Sequence, residues 1–509
     1  RQAIAGTARP LAGFTLLDQG GGVVHVPSAW EALKAMAPRV RGPLLTTKVA
    51  ATNPFFSSGK GPAAFWRGNG WYPAPPREVS VTLTPVFADS VSPDVRAAQF
   101  RDFDLDTDVP WIHLDRKSIH LKGDGANSFE MEYDPAALAT PGLYVGRVRG
   151  YARGLGGPRL ADFEVWNSII IPWRFDGTDG TREWSGEGLE PGGIRRYFIE
   201  VPPGASALGL FIEASRGSEG LVRVVLFDPE GHEHGTIGGW ADPKKGTNIE
   251  QLVTGGNLRP GTWEAVVGAS TANRRDSAFR LEARLSSFDC RPDTLRRFTM
   301  PPGEPARMTV NVTNNAGRPF EGRVEGTILG WRRERLIKVS GKDIWEMPVT
   351  LPADIEQVTF EMEVAPDLYE RVSDIVLSIL DKDGIPLNRA SFDTRKGTLT
   401  VTNPNRAGGE PMSYRLQLWP GFVHGRSADD WSFHLIESYR RRDRESITVK
   451  SADSEALMLY PGVTRELVLT MAVPPREAPD GAFNYGELLF KDDATKKTRG
   501  VWPIRLEQR

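Results

Sequence analysis

Apolar residues recur along most of this chain with a period of two, and short turns rich in glycine, proline, asparagine and aspartate break the runs. Val79, Val81 and Leu83 alternate with polar neighbours. Similar short runs follow at 111–114, 129–133, 143–148 and 163–166, separated by Asp124-Gly125, Asp134-Pro135 and Pro141-Gly142. Evenly spaced strands with such turns predict an antiparallel sandwich over residues 77–175. A β domain over 176–290 is predicted by Tyr197, Ile199 and Val201, then Leu208, Leu210 and Ile212, and a strand entering the turn Asp228-Pro229-Glu230-Gly231. Met308, Val310 and Val312 lead to Asn314-Asn315-Ala316-Gly317, whose asparagines and glycine suit the positive φ of a hairpin turn. With Val358, Phe360, Met362 and Val364 they predict a fibronectin-like sandwich over 291–395. Tyr414, Leu416 and Leu418, the run 467–469 and a terminal hairpin at 485–490 and 501–506 predict a last sandwich over 396–509.

Two stretches break this pattern. In residues 1–37, Val26, Ala29, Trp30, Leu33 and Met36 recur at helical spacing, and Ser28 with Glu31 has the form of a capping box. The segment reads as the end of one helix, a glycine turn at Gly20-Gly21-Gly22, a very short strand and a second helix. Such a piece needs a larger body to cover its apolar stripe. Residues 38–76 lose periodicity and gather glycine, proline and aromatics, so they are expected to be a connector draped over its neighbours and pinned by Phe65, Trp66, Trp71 and Tyr72.

At 509 residues the chain exceeds what one core supports, and 39% hydrophobic with 25% charged residues marks a folded protein. Basic and acidic residues number 63 and 65, leaving a formal net charge of −2 and no global field for nucleic acid or an anionic membrane. The runs Arg332-Arg333 and Arg440-Arg441-Arg442 are expected to be a solvated face, since no aromatic-rich basic module surrounds them. One cysteine, Cys290, excludes an internal disulfide framework and a multi-cysteine zinc site. No apolar run approaches the ~20 residues of a membrane helix; Ile169-Ile170-Ile171, cut by Pro172, is expected to be a buried strand.

The order Thr7-Ala8-Arg9-Pro10, the glycine turn running into Val23-Val24-His25-Val26, and Ser28-Ala29-Trp30-Glu31-Ala32-Leu33 resembles the closing segment of a subtilisin-like serine peptidase domain. The stretches 109–114, 133–144 and 147–151 resemble the region behind the catalytic domain in the tripeptidyl peptidase II branch of that family. The most specific is 191–205, P-G-G-I-R-R-Y-F-I-E-V-P-P-G-A. Arg259-Pro260-Gly261-Thr262-Trp263 resembles the closing hairpin of jelly-roll modules behind bacterial secreted peptidases. The fold class expected is mainly β, with tandem antiparallel β-sandwich and jelly-roll domains behind a short α/β remnant of a subtilisin-like catalytic domain.

The resemblance implies that the aspartate, histidine, oxyanion asparagine and serine (G-T-S-M-A-x-P) blocks lie upstream of Arg1. This chain would be the non-catalytic part of a longer serine peptidase, inactive alone, that serves stability, substrate access or assembly. Gly6-Thr7-Ala8 is not a serine block with its nucleophile replaced, because Pro10 would break the helix that carries it. Implied partners are the catalytic domain of the same polypeptide and a peptide or protein substrate, with a homo-oligomer left open and neither nucleic acid nor membrane expected. Jelly-roll tails favour an extracellular or periplasmic site, whereas the intracellular assemblies of the tripeptidyl peptidase II branch favour the cytoplasm; export is the expectation. The alternative is a stand-alone adhesion or carbohydrate-binding array whose connector rings, Trp66 and Trp71, would stack on sugars.

No catalytic, cofactor-binding or metal residue is assigned. Asp102, Asp104, Asp106 and Asp108 have the spacing of a strand's polar face, and Thr107 and His113 stand where a calcium loop needs glycine and glutamate. His232 and His234 lack a third ligand nearby and are expected in a surface turn. His25 is expected to be a core or surface histidine.

Overall fold

A computed structural model describes residues 2–37, 43–50, 60–66, 77–154, 160–175, 180–215, 220–229, 231, 233–234, 240–246, 248–254, 258–291, 306–316, 319–341, 344–369, 371–392, 395–405, 408–423, 429–451, 457–471, 476–494, 496 and 498–506. The fold is mainly β, built almost wholly from antiparallel sheets. Three short helices open it: α1 (Gln2–Gly6), α2 (Leu16–Gln19) and α3 (Val26–Met36).

Two five-stranded sheets form the first sandwich. Alternation drives it: Val79, Val81 and Leu83 turn inward from the strand Glu78–Val86 and meet Phe103, Phe129, Met131, Val148 and Val165 in one core. The connector expected over 38–76 is corrected here. Its strand Leu44–Ala50 pairs with Glu78–Val86, and Ala64–Trp66 lies parallel to Phe163–Ile171, so both are integral to the sandwich. Trp66 is only 4% exposed, because its ring fills the core; Trp71 and Tyr72 lie outside the described residues. The three isoleucines 169–171 end the strand Phe163–Ile171, with Ile169 and Ile170 buried.

A four-stranded and a three-stranded sheet form the second sandwich, packed around Trp263, Ile199, Leu208, Leu210, Ile212 and Leu281. Trp263 donates its indole N–H to the carbonyl of Arg259 at 2.8 Å, which is how a fully buried tryptophan avoids an orphaned donor.

The division expected at 395/396 is also corrected. Strands from either side of it pair throughout: Trp345–Leu351 with Met412–Phe422, and Ile355–Val364 with both Lys396–Thr402 and Trp431–Ser451. Instead, one sandwich is nested in another. The inner core runs from Trp331 to Tyr439, and the outer core combines residues 290–328 with 447–506. Two long strands, Phe320–Val339 and Trp431–Ser451, pair with each other and pass from one core into the other. Their register shifts between Ile328 and Gly330, beside the stacked pair Trp331–Tyr439, whose ring centroids lie 3.7 Å apart. At Gly330 the backbones approach so closely that a Cβ would collide with the Tyr439 carbonyl oxygen.

This crossing also overturns the solvated-face expectation for the basic runs. Arg441 is only 3% exposed and donates to the carbonyls of Arg476 and Glu477 at 3.2 and 3.4 Å. Arg442 donates to the carbonyls of Ala353 and Asn405 at 3.0 and 2.7 Å, and Arg332 to the Ser438 hydroxyl at 2.9 Å. These guanidiniums supply the donors that loop carbonyls around the long strands would otherwise lack.

Candidate functional site

The site that stands out is the N-terminal segment, because it buries so little of its apolar surface. α3 starts one turn earlier than the sequence suggested. Its cap is His25, whose ring Nδ1 accepts from the Ser28 N–H at 3.3 Å and lies 2.6 Å from the Ser28 hydroxyl. The Ser28–Glu31 capping box is therefore corrected: Glu31 turns outward and pairs with Lys34 at 2.7 Å. A box does form at α2, where Asp18 Oδ2 accepts from the Thr15 N–H at 2.9 Å and from its hydroxyl at 2.7 Å. Arg9 and Val23 exchange two backbone hydrogen bonds of 2.9 Å, and Gly22, at φ 98°, makes the turn into that bridge where a Cβ would strike the Arg9 backbone.

One face of this segment is held. Ala3 of α1, Ala32 and Met36 of α3, and Leu160 pack together, and the Gln2 side chain donates to the Ala161 carbonyl at 2.6 Å on the first sandwich. On the second sandwich, Arg196 Nη2 meets Asp18 Oδ1 at 2.7 Å while its Nε lies 3.7 Å from Glu264. Burial opposes ionisation of Asp18, but the Thr15 bonds and the Arg196 charge outweigh it and hold the carboxyl below the usual carboxylate range.

The other face is open. Trp30 is 57% exposed and Leu33 50%, as expected for a stripe missing its cover, and Phe14, Leu17, Val24 and Val26 are exposed with them. Scattered exposed apolar residues are ordinary, but here they gather within one short segment of the chain. The buried helix face uses Ala29 and Ala32 instead of the larger side chains.

The other sequence candidates resolve into structure. Asp104, Asp106 and Asp108 lie beside arginines of the strand Gly142–Ala152 and the turn after it: Arg153 at 2.6 Å, Arg149 at 3.9 Å and Arg147 at 2.9 Å. The arginines at 147 and 149, two apart, were the signal for this ladder. His234 is half-buried with its ring against Trp263 at 5.3 Å, so the surface-turn expectation fails for it; His232 lies outside the described residues. Burial, with smaller help from Arg259 and Lys396, outweighs the opposing Asp228 charge and pushes the His234 imidazole below its ordinary 6.5. The unfolded chain therefore takes up a proton at this position before the folded one does. Stability of the second sandwich is expected to be full above about pH 6.5 and to fall as the pH drops below it; His234→Gln should flatten that fall in a denaturation series from pH 8 to 5. Cys290 is buried and lines a cavity of about 110 Å³ between the second sandwich and the outer C-terminal core, with Ser206, Phe288, Phe490 and Trp502. No group of three or more His, Cys, Asp or Glu side chains converges among the described residues, and no described helix is long and apolar enough to cross a membrane.

Compared with solved structures, the chain aligns over 99% of its length with tripeptidyl peptidase 2 (TPP II), at a TM-score of 0.57 and 15% identity. The two share a fold. The chain spans 44% of that structure's own chain. The M60 catalytic domain with two CBM51 domains from Clostridium perfringens ZmpB aligns over 80% of this chain and 56% of its own at 8% identity, but a TM-score of 0.16 carries no argument. No family model and no curated protein matches the sequence.

Proposed function

We propose that this chain is the non-catalytic part of a subtilisin-like serine peptidase of the tripeptidyl peptidase II kind. Residues 1–37 complete an α/β peptidase body, and the β-sandwiches behind it stabilise that body, limit substrate access or assemble subunits. The observation that carries the reading is the open apolar face around Trp30 and Leu33, on a segment anchored to the sandwiches by its opposite side. The fold shared with TPP II over nearly the whole chain supports it. Peptide hydrolysis would use a serine upstream, activated by histidine, with aspartate orienting the base and an oxyanion hole holding the developing charge. Export to the periplasm or the outside belongs to the same proposal and rests on the jelly-roll resemblance around Trp263.

The test is to determine the coding sequence upstream of Arg1 and to express the longer polypeptide beside this chain. The longer form is expected to carry a G-T-S-M-A-x-P block and to hydrolyse casein or tripeptide amides, and this chain alone to hydrolyse neither. An upstream region without that block, or turnover by this chain alone, overturns the reading.

A further inference from the structure

The open apolar face has two halves with different supports. α3, which carries Trp30 and Leu33, and α1 beside it rest on the first sandwich through Ala3, Ala32, Met36 and Leu160. α2, which carries Leu17 beside Phe14, lies against the strand Gly142–Ala152 of the first sandwich and is tied to the second through Asp18. Both oxygens of Asp18 are engaged: Oδ2 caps α2 through Thr15, and Oδ1 receives Arg196. Arg196 stands on the strand Ile194–Val201, and the neighbouring strand Gly261–Ala269 contributes Glu264 across the pair Phe198↔Glu264. The side chains of Asp18, Arg196 and Glu264 are 18%, 32% and 12% exposed, and the Asp18–Arg196 bond lies at the solvent edge of the group, where salt reaches it.

We infer that Asp18, Arg196 and Glu264 form a latch that ties the α2 half of the apolar face, seated against the first sandwich, to the second as well, while α1 and α3 hold the other half on the first. A body seated on the whole face is thereby clamped across the joint between the two sandwiches, and its angle to the second is set by Arg196. What sits on the face rests on the proposed function. The latch itself is a property of this chain, so the two ideas fail separately: one through activity of the longer polypeptide, the other through local opening here.

Hydrogen exchange on the whole chain tests it, with Arg196→Ala, Asp18→Asn, the double variant, Arg196→Lys and Glu264→Gln. Asparagine can still accept from Thr15, so Asp18→Asn removes the charge and leaves the α2 cap. Amides of residues 9–22 are expected to exchange about fivefold to tenfold faster in each of the first two variants. The double variant should add little to either single change, as two halves of one contact require. Arg196→Lys should restore part of the protection, and 0.5 M salt should erode it in the unsubstituted chain. Residues 9–22 exchanging at the original rate in Arg196→Ala would overturn the latch. So would additive effects in the double variant, or faster exchange confined to the strand Ile194–Val201 in both Arg196→Ala and Glu264→Gln, which would mean that Arg196 serves its own sandwich.

Discussion

Gly330→Ala is expected to destabilise the nested C-terminal sandwiches strongly and leave the first two unchanged. The added Cβ would overlap the Tyr439 carbonyl oxygen, with the Arg440 Cα only 3.2 Å away. Both are backbone, so no side-chain rotation relieves the clash; the long strands must separate where they cross. That separation breaks the ladder on either side of the bulge and unstacks Trp331 from Tyr439. Overpacking of a core typically costs about 1–3 kcal/mol. A backbone clash that also opens a ladder belongs at or above the top of that range, on the order of 3 kcal/mol, a large share of a domain's stability. Chemical denaturation followed by hydrogen exchange should show residues 306–506 losing protection at lower denaturant while the strand Phe163–Ile171 keeps its own midpoint. Gly268→Ala is the control. It too replaces a strand glycine, but its Cβ would find only the Ile194 Cγ2 at 3.9 Å, so the change is expected to be neutral or to stabilise by roughly 0.4–1 kcal/mol. Equal effects of the two substitutions would refute the crossing as the weak point.

The same crossing explains where sequence reasoning stopped. Alternation identified the strands around Val79, Leu208, Val310 and Val358 because each buries one face, and period-two burial is written directly into the residue order. It cannot say which strands share a core. Nesting puts residues 431–439 with 331–339 and residues 447–451 with the outer strands, and no turn residue marks the passage because the strands run straight through it. Within the connector, Leu44–Ala50 was legible only with its partners in hand, Lys60–Gly61 on one side and Glu78–Val86 on the other, since its own sequence is weakly periodic. The arginine runs misled for a related reason. Charge in a sequence suggests solvent, yet Arg441 is spent on the carbonyls of Arg476 and Glu477 in a fold whose crossing strands leave loop carbonyls short of donors. On the candidate site the helical spacing of Val26, Trp30 and Leu33 was legible, and so was their exposure in this chain. Missed were the true cap, His25, and the Asp18–Arg196 pair, which joins residues far apart in the chain and leaves no local pattern.

Trp30→Glu with Leu33→Glu should cost the isolated chain little stability and disable the proposed longer polypeptide. In this chain both side chains are at least half exposed, and Trp30 and Leu33 take no part in the small cluster of Ala3, Ala32 and Leu160 that seats α3. Replacing them gives up only the half of each side chain that is already covered, and glutamate is a good helix former, so the loss of stability is expected to stay within about 1–2 kcal/mol. Solubility should rise as the apolar patch shrinks. In the longer polypeptide the sign reverses. If a peptidase body covers this face, each side chain contributes about 1.5–3 kcal/mol when fully buried, and the substitution also forces two carboxylates into that contact. A loss of several kcal/mol would separate the body from the sandwiches, read as lost hydrolysis of tripeptide amides and as rapid tryptic release of the upstream part. Conservative changes sharpen the comparison: Trp30→Phe and Leu33→Met keep apolar bulk and should retain most of the activity. An equally large loss in the isolated chain would mean that the face is already covered by the sandwiches, and unchanged activity in the longer form would mean that no body sits on it.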